Sequence, residues 1–235
     1  MFTSLFALHI PDGFLSNGVA GVCAVLAAAA VLYGLKVANV TLDERRIPLL
    51  GVTAAFIFAA QMLNFPIAGG TSGHFLGAGL AAILLGPWIA SVVMAVVLTM
   101  QAFLFADGGI TALGANILNM GVIGALLVGS LMVVAATRFR GSRNGFLAIT
   151  AVGTWLAVMA GAAATAIELA FSGTVPLGTV MGAMLGVHTF IGIGEAVITV
   201  GAVAATMATR PDLVYALRPD RHAGAPAVVP APKEA

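Results

Sequence analysis

Seven apolar stretches divide the chain, separated by polar or glycine-proline breaks. They cover residues 18–35, 48–63, 74–85, 88–105, 111–137, 146–171 and 177–209. Stretches of roughly 17–25 residues are long enough to cross a hydrocarbon core of about 30 Å as helices. The third is short and stops at Gly86-Pro87. No stretch alternates polar and apolar positions, which excludes a transmembrane β-barrel. The pattern predicts an all-α membrane protein with about seven transmembrane helices. Gly73/Gly77 and Gly182/Gly186 are small-residue pairs suited to close helix approach, and Ala24 and Ala28 offer a small docking face on the first stretch.

Composition fixes the solvent. Of 235 residues, 60% are hydrophobic and 8% charged, with a mean hydropathy of +1.08. No water-soluble domain of this size exposes such a surface. The net charge of +1 says nothing about nucleic acid, and no basic cluster points to such a partner, so none is expected. A single cysteine, Cys23, excludes an internal disulfide framework or a thiolate metal cluster. Lys36, Arg45 and Arg46 follow the first stretch, Arg138, Arg140 and Arg143 the fifth, and Arg210, Arg218 and Arg221 the seventh. Loops 64–73, 106–110 and 172–176 carry no Lys or Arg. Basic loops stay in the cytoplasm, so the N-terminus is expected outside and the C-terminus inside, a parity that seven crossings satisfy. The chain then divides into an N-terminal extension (1–7), a transmembrane domain (8–209) and an expected disordered cytoplasmic tail rich in Pro and Ala (210–235).

Candidate chemistry rests on histidine. The chain has four, and His9 and His74 stand just ahead of apolar stretches. Imidazole is the usual nitrogen donor for nickel, cobalt and zinc. The alternative is that each only bonds a backbone group at a helix end. Charge parity puts both on the outer side, where a substrate arrives, and that convergence favours the ligand role. Asp12 and Gly13 predict a turn folding the N-terminal segment toward the bundle, with Asp12 a further candidate contact. Asn116 and Asn119, at i and i+3, share a helix face and could orient an imidazole. His188 lies near mid-membrane with Glu195 seven residues on, a depth where ionisable groups carry function or structural polar contacts. Glu168 has no partner readable from the sequence.

Four ordered motifs carry a family resemblance. Leu8-His9-Ile10-Pro11-Asp12-Gly13-Phe14-Leu15 resembles the Met-His-Ile-Pro-Asp-Gly-Phe-Leu opening of the CbiM/NikM family, the substrate-binding membrane components of energy-coupling-factor transporters for cobalt and nickel. Gly69-Gly70-Thr71-Ser72-Gly73-His74, the run from Asp107 to Gly121, and His188-Thr189-Phe190-Ile191-Gly192-Ile193-Gly194-Glu195 resemble its later motifs. The resemblance spans residues 8–212, nearly the whole chain. It implies a multi-pass protein of the bacterial inner membrane that captures Co(II) or Ni(II) at the outer face. It also implies a planar four-nitrogen site, here the Leu8 amine, the His9 amide and imidazole, and the His74 imidazole. Asp12, Asn116, Asn119 and His188 would stand around it.

One departure matters. Residues 1–7 precede Leu8, so as written its nitrogen belongs to a peptide bond. They are too short and lack the basic region of a signal peptide. The expectation is that Leu8 is the true initiator, encoded by a leucine codon read as methionine at initiation. The chain also lacks a Gly-x-x-x-x-Gly-Lys-[Ser/Thr] phosphate loop, so it is expected not to be an enzyme. The resemblance implies that ATP hydrolysis belongs to partners: a transmembrane coupling subunit, two ATPase subunits and a small accessory membrane subunit. A rival from another class is an intramembrane serine protease using Ser72, in Gly70-Thr71-Ser72-Gly73, with His188 as base. That reading leaves His9 and His74 unexplained.

Overall fold

The computed structural model describes residues 8–63, 65–66, 72–138 and 142–218. Helix α1 (Asn17–Thr41) starts where Ser16 Oγ accepts from Val19 N–H at 3.4 Å. A single 3-10 turn, Glu44–Arg46, leads into α2 (Ile47–Gln61), with Pro48 near its start, where a missing N–H costs nothing. A two-residue antiparallel pair, β1 (Phe65–Pro66) with β2 (Ser72–Gly73), precedes α3 (Ala78–Leu85) and α4 (Pro87–Phe105). Helix α5 (Leu113–Asn116) runs through a π-helical stretch, Ile117–Ile123, into α6 (Gly124–Arg138). Helices α7 (Arg143–Phe171) and α8 (Leu177–Thr209) follow, the first capped by Ser142 Oγ accepting from Gly145 N–H.

Among the described residues five helical stretches are long and apolar enough to cross a membrane: α1, α4, the α5–α6 run, α7 and α8. Helix α2, with 15 residues, is shorter. The expected third span is corrected most. Residues 74–77 are not helical, and the eight residues of α3 reach only about 12 Å at 1.5 Å each. Every residue of α3 is buried by protein. A short helix can sit in a membrane protein only where neighbours satisfy its ends.

The chain ends after α8 also differ from the composition-based boundary. Two 3-10 turns, Pro211–Leu213 and Tyr215–Leu217, fold back, with Val214 and Ala216 buried. The Tyr215 ring lies over Gly86, and the Arg218 guanidinium donates to Leu84 O at 3.3 Å. These contacts close the C-terminal end of α3. The rest of the expected tail, 219–235, and the extension 1–7 lie outside the described residues.

Of the small-residue pairs, Gly77 is tightly enclosed, and a Cβ there would stand 2.7 Å from Ile57 Cγ2. At Gly182 and Gly186 no described residue comes within 4 Å of where a Cβ would point, so no close helix approach is seen there. Ala24 is instead met by Gly114 of α5.

Candidate metal centre

Pro11 and the positive φ of Gly13 (82°) keep residues 8–15 out of a helix and bend them over one end of the bundle. The segment is then tied down by main-chain pairing. Asn116 Oδ1 accepts from Ile10 N–H at 2.8 Å, and Asn116 Nδ2 donates back to Ile10 O at 3.2 Å. Gly109 N–H also donates to Ile10 O, at 2.8 Å. Asp12 Oδ1 accepts from both N–H and Oγ1 of Thr111, at 2.7 and 2.6 Å. Those bonds, the hydroxyl's first, hold the exposed Asp12 carboxyl below its ordinary range. Thr174 Oγ1 donates to Phe14 O, so the α7–α8 loop joins the same end.

This pinning buries His9. Its side chain is 6% exposed, and its Nε2 has no hydrogen-bond partner among the described residues. The Nδ1 lies 3.7 Å from Asp107 Oδ1. Gly108, with φ at 94°, passes so close that a Cβ would sit 3.2 Å from His9 Nδ1 and 2.9 Å from Asn116 Nδ2. Only glycine fits that backbone there. Burial, and then the neighbouring His74, push the His9 imidazole down to a pKa of about 4, against the opposing pull of Asp107. The ring is therefore neutral at physiological pH and keeps a lone pair for a metal.

His74 stands directly opposite. The two ring centroids are 5.0 Å apart and tilted by 59°. His74 Nδ1 contacts Phe75 O at 2.8 Å, and as the donor there it leaves Nε2 as the free donor atom toward a metal. Among the described residues no group of three His, Cys, Asp or Glu side chains converges. A four-coordinate ion here would draw two donors from these imidazoles and the rest from main-chain nitrogen or water.

The other candidate residues divide. Leu8 is buried, with Cδ2 facing Gly161 of α7, and its nitrogen is bonded to a residue outside the described ones. Asn116 holds the His9 segment, but Asn119 turns to another helix, donating to Thr165 Oγ1 (3.1 Å) and Glu168 Oε2 (2.7 Å). The π-helical stretch beginning at Ile117 separates them, so they do not act as a pair. Cys23 Sγ donates to the other Glu168 oxygen at 3.2 Å. His188 is buried on α8 with Nδ1 on Met184 O at 2.7 Å. Asp107, which approaches His9, was not singled out from the sequence. Its signal there is its place at the head of the motif running from Asp107 to Gly121, ahead of Gly108-Gly109.

Fold and site together define a multi-pass helical membrane protein with a buried and a half-buried imidazole facing each other at one end. Comparison with known proteins names the family. Residues 9–213 match the CbiM family, described as the cobalt uptake substrate-specific transmembrane region. The chain belongs to this family of cobalt and nickel transport membrane proteins. It is 42% identical over 212 residues to a putative fused nickel transport protein, NikMN, of Archaeoglobus fulgidus, covering 88% of this chain and 68% of that one. It is 42% identical over 210 residues to a putative metal transport protein of Haloquadratum walsbyi, covering 88% and 94%. A solved structure, that of a truncated transition metal transporter, superposes with a TM-score of 0.76 at 34% identity, over 85% of this chain and 98% of that one. Nothing in the structure or these similarities supports the serine-protease alternative. The Ser72 side chain lies outside the described residues, and His188 Nδ1 is engaged by its own helix.

Proposed function

We propose that the protein captures Co(II) or Ni(II) at the outer face of a bacterial inner membrane, as the substrate-binding component of an energy-coupling-factor importer. The observation that carries this is buried His9, whose Nε2 has no hydrogen-bond partner among the described residues and whose ring centroid lies 5.0 Å from that of His74. An orphaned polar atom in a buried site is costly unless a ligand completes it. The cobalt and nickel transport roles of the family's members support the choice of ions. Lys36, Arg46, Arg138, Arg143, Arg210 and Arg218 stand toward the opposite end of the helices, which supports an outward-facing histidine pair under the positive-inside rule. The Leu8 amine, the His9 amide and imidazole, and the His74 imidazole are the four donors. Asp12 and Asn116 hold the His9 segment in place. Energy comes from two ATPase subunits through a transmembrane coupling subunit, with a small accessory membrane subunit.

Purified protein should bind Ni(II) or Co(II) stoichiometrically, and His74→Ala should lose that metal. Full retention by the variant overturns the assignment. An amine donor predicts that a chain begun with methionine at position 8 binds more tightly than one carrying residues 1–7. Equal affinity excludes the amine. Uptake by vesicles should require the coupling and ATPase subunits together, and metal accumulation by this chain alone overturns the division of labour.

A further inference from the structure

His74 stands on backbone that is not helical, although it leads directly into a buried helix. Two side chains fix that backbone from opposite sides. On α8, Glu195 Oε2 accepts from Leu76 N–H at 2.7 Å and Oε1 from Gly77 N–H at 3.0 Å. At the end of α2, Gln61 Nε2 donates to Leu76 O at 2.6 Å. Leu76 therefore has both main-chain groups held, two residues from His74. Glu195 and Gln61 are 2% and 1% exposed, so water does not compete for these bonds. Gly77, at φ 86°, then turns the chain into α3. The residue types suit the task. Adjacent N–H groups need two acceptor atoms side by side, which a carboxyl group supplies. A glutamine there offers one acceptor and one NH2, and the NH2 would face an N–H.

We propose that Glu195, assisted by Gln61, is a positioning residue of the metal site. Its double bond to the Leu76 and Gly77 amides fixes where the His74 imidazole stands relative to His9, and so sets metal affinity and the ligand field of the bound ion. This rests on the reading of His74 as a ligand. A purely structural cap for α3 would instead change stability and leave the bound metal as it was.

The test uses the full-length chain in detergent with Ni(II) alone. Affinity is read by chelator competition, geometry by the visible absorption band, and stability by melting temperature. Glu195→Gln should keep its metal content at saturation while affinity falls about 10–100-fold, as partners of ligating histidines generally require, and the visible band moves. Gln61→Met should move both in the same direction by less. Thr150→Val, which removes the buried α7 hydroxyl bonded to Phe146 O, should lower the melting temperature and leave affinity and band unchanged. Glu195→Gln with wild-type affinity and band overturns the proposal, whatever its melting temperature. If that variant does not fold, an unchanged Gln61→Met overturns it equally. Metal retained by His74→Ala defeats the ligand assignment itself. Metal lost by His74→Ala, with Glu195→Gln unaltered, defeats only the positioning role.

Discussion

Helices α1 and α3 are alike in sequence and opposite in circumstance. Both are built largely of Ala, Leu and Gly, with Val added in α1 and Ile in α3, and neither has a charged residue in its hydrophobic centre. Only Cys23, Ala27 and Gly34 of the 25 residues in α1 are buried by the protein, and Val22, Val25, Leu26 and Leu32 all lie more than half exposed. In α3 all eight residues are buried. The contrast teaches that apolarity says only that water is excluded. Whether lipid or protein does the excluding is decided by length and by the ends. Helix α1 satisfies its own backbone over 25 residues. Helix α3 cannot, and borrows Glu195 at one end and Arg218 at the other.

The sharpest way to break this contrast is a pair of glycine substitutions. Gly77→Val forces a β-branched residue into a left-handed backbone, at on the order of 1–3 kcal/mol. It also drives a Cβ to within 2.7 Å of Ile57, and overpacking adds about 1–3 kcal/mol more. Little folded, monodisperse protein should survive size-exclusion chromatography. Gly21→Val in α1, with open space at its Cβ position, should elute and melt like wild type. Loss of fold in both would erase the distinction between the helices.

A smaller effect follows from one added isopropyl group. Ala81→Leu in α3, at a site with 0% exposure, should cost about 1–3 kcal/mol in thermal or denaturant unfolding. Ala28→Leu, on the exposed side of α1, should cost nothing measurable. Equal costs would mean that α1 is covered in the isolated protein.

The smallest effect concerns the protein's water-facing rim, where buried His9 and exposed Asp12 lie three residues apart. His9 has a folded pKa near 4 against 6.5 unfolded, so the unfolded chain binds the extra proton. Stability is complete above the unfolded value and falls as pH drops toward the folded one. Metal-free protein should lose about 1 kcal/mol between about pH 7.5 and about pH 5.5 through this group. Asp12, held below 3.8 by Thr111, contributes in the same direction only at more acid pH. His9→Gln should flatten the upper part of the profile, and an unchanged slope would place the titration elsewhere.

Much of this was legible in the sequence. Length and apolarity marked the long helices, Gly86-Pro87 marked the break before α4, and the distribution of arginines put His9 and His74 at one end. The family motifs named their neighbourhood. That α3 is short and stops at Gly86 was legible, but its start at Ala78 was not, because hydropathy over residues 74–85 is the same whether residues 74–77 are helical or extended. Nor were the partners of Glu195, Asn116 and Arg218. Each bonds main-chain atoms more than 100 residues distant, and a peptide group leaves no mark in the identity of the residue that carries it. Asn119, inside the π-helical stretch, likewise bonds Glu168 on α7, 49 residues away, a partner that its i, i+3 spacing from Asn116 does not reveal.

The borrowed ends of α3 also set a schedule for synthesis. Glu195 is made 118 residues after Gly77, and Arg218 is made 134 residues after Leu84. At roughly 5–20 residues per second, α3 waits on the order of 10 s for its first partner. During that interval its terminal peptide groups must be met by water, by the insertion machinery or by lipid headgroups. Helix α3 is thus among the last elements to be finished, and the bonds that hold Leu76 and Gly77 can form only once α8 has entered the membrane.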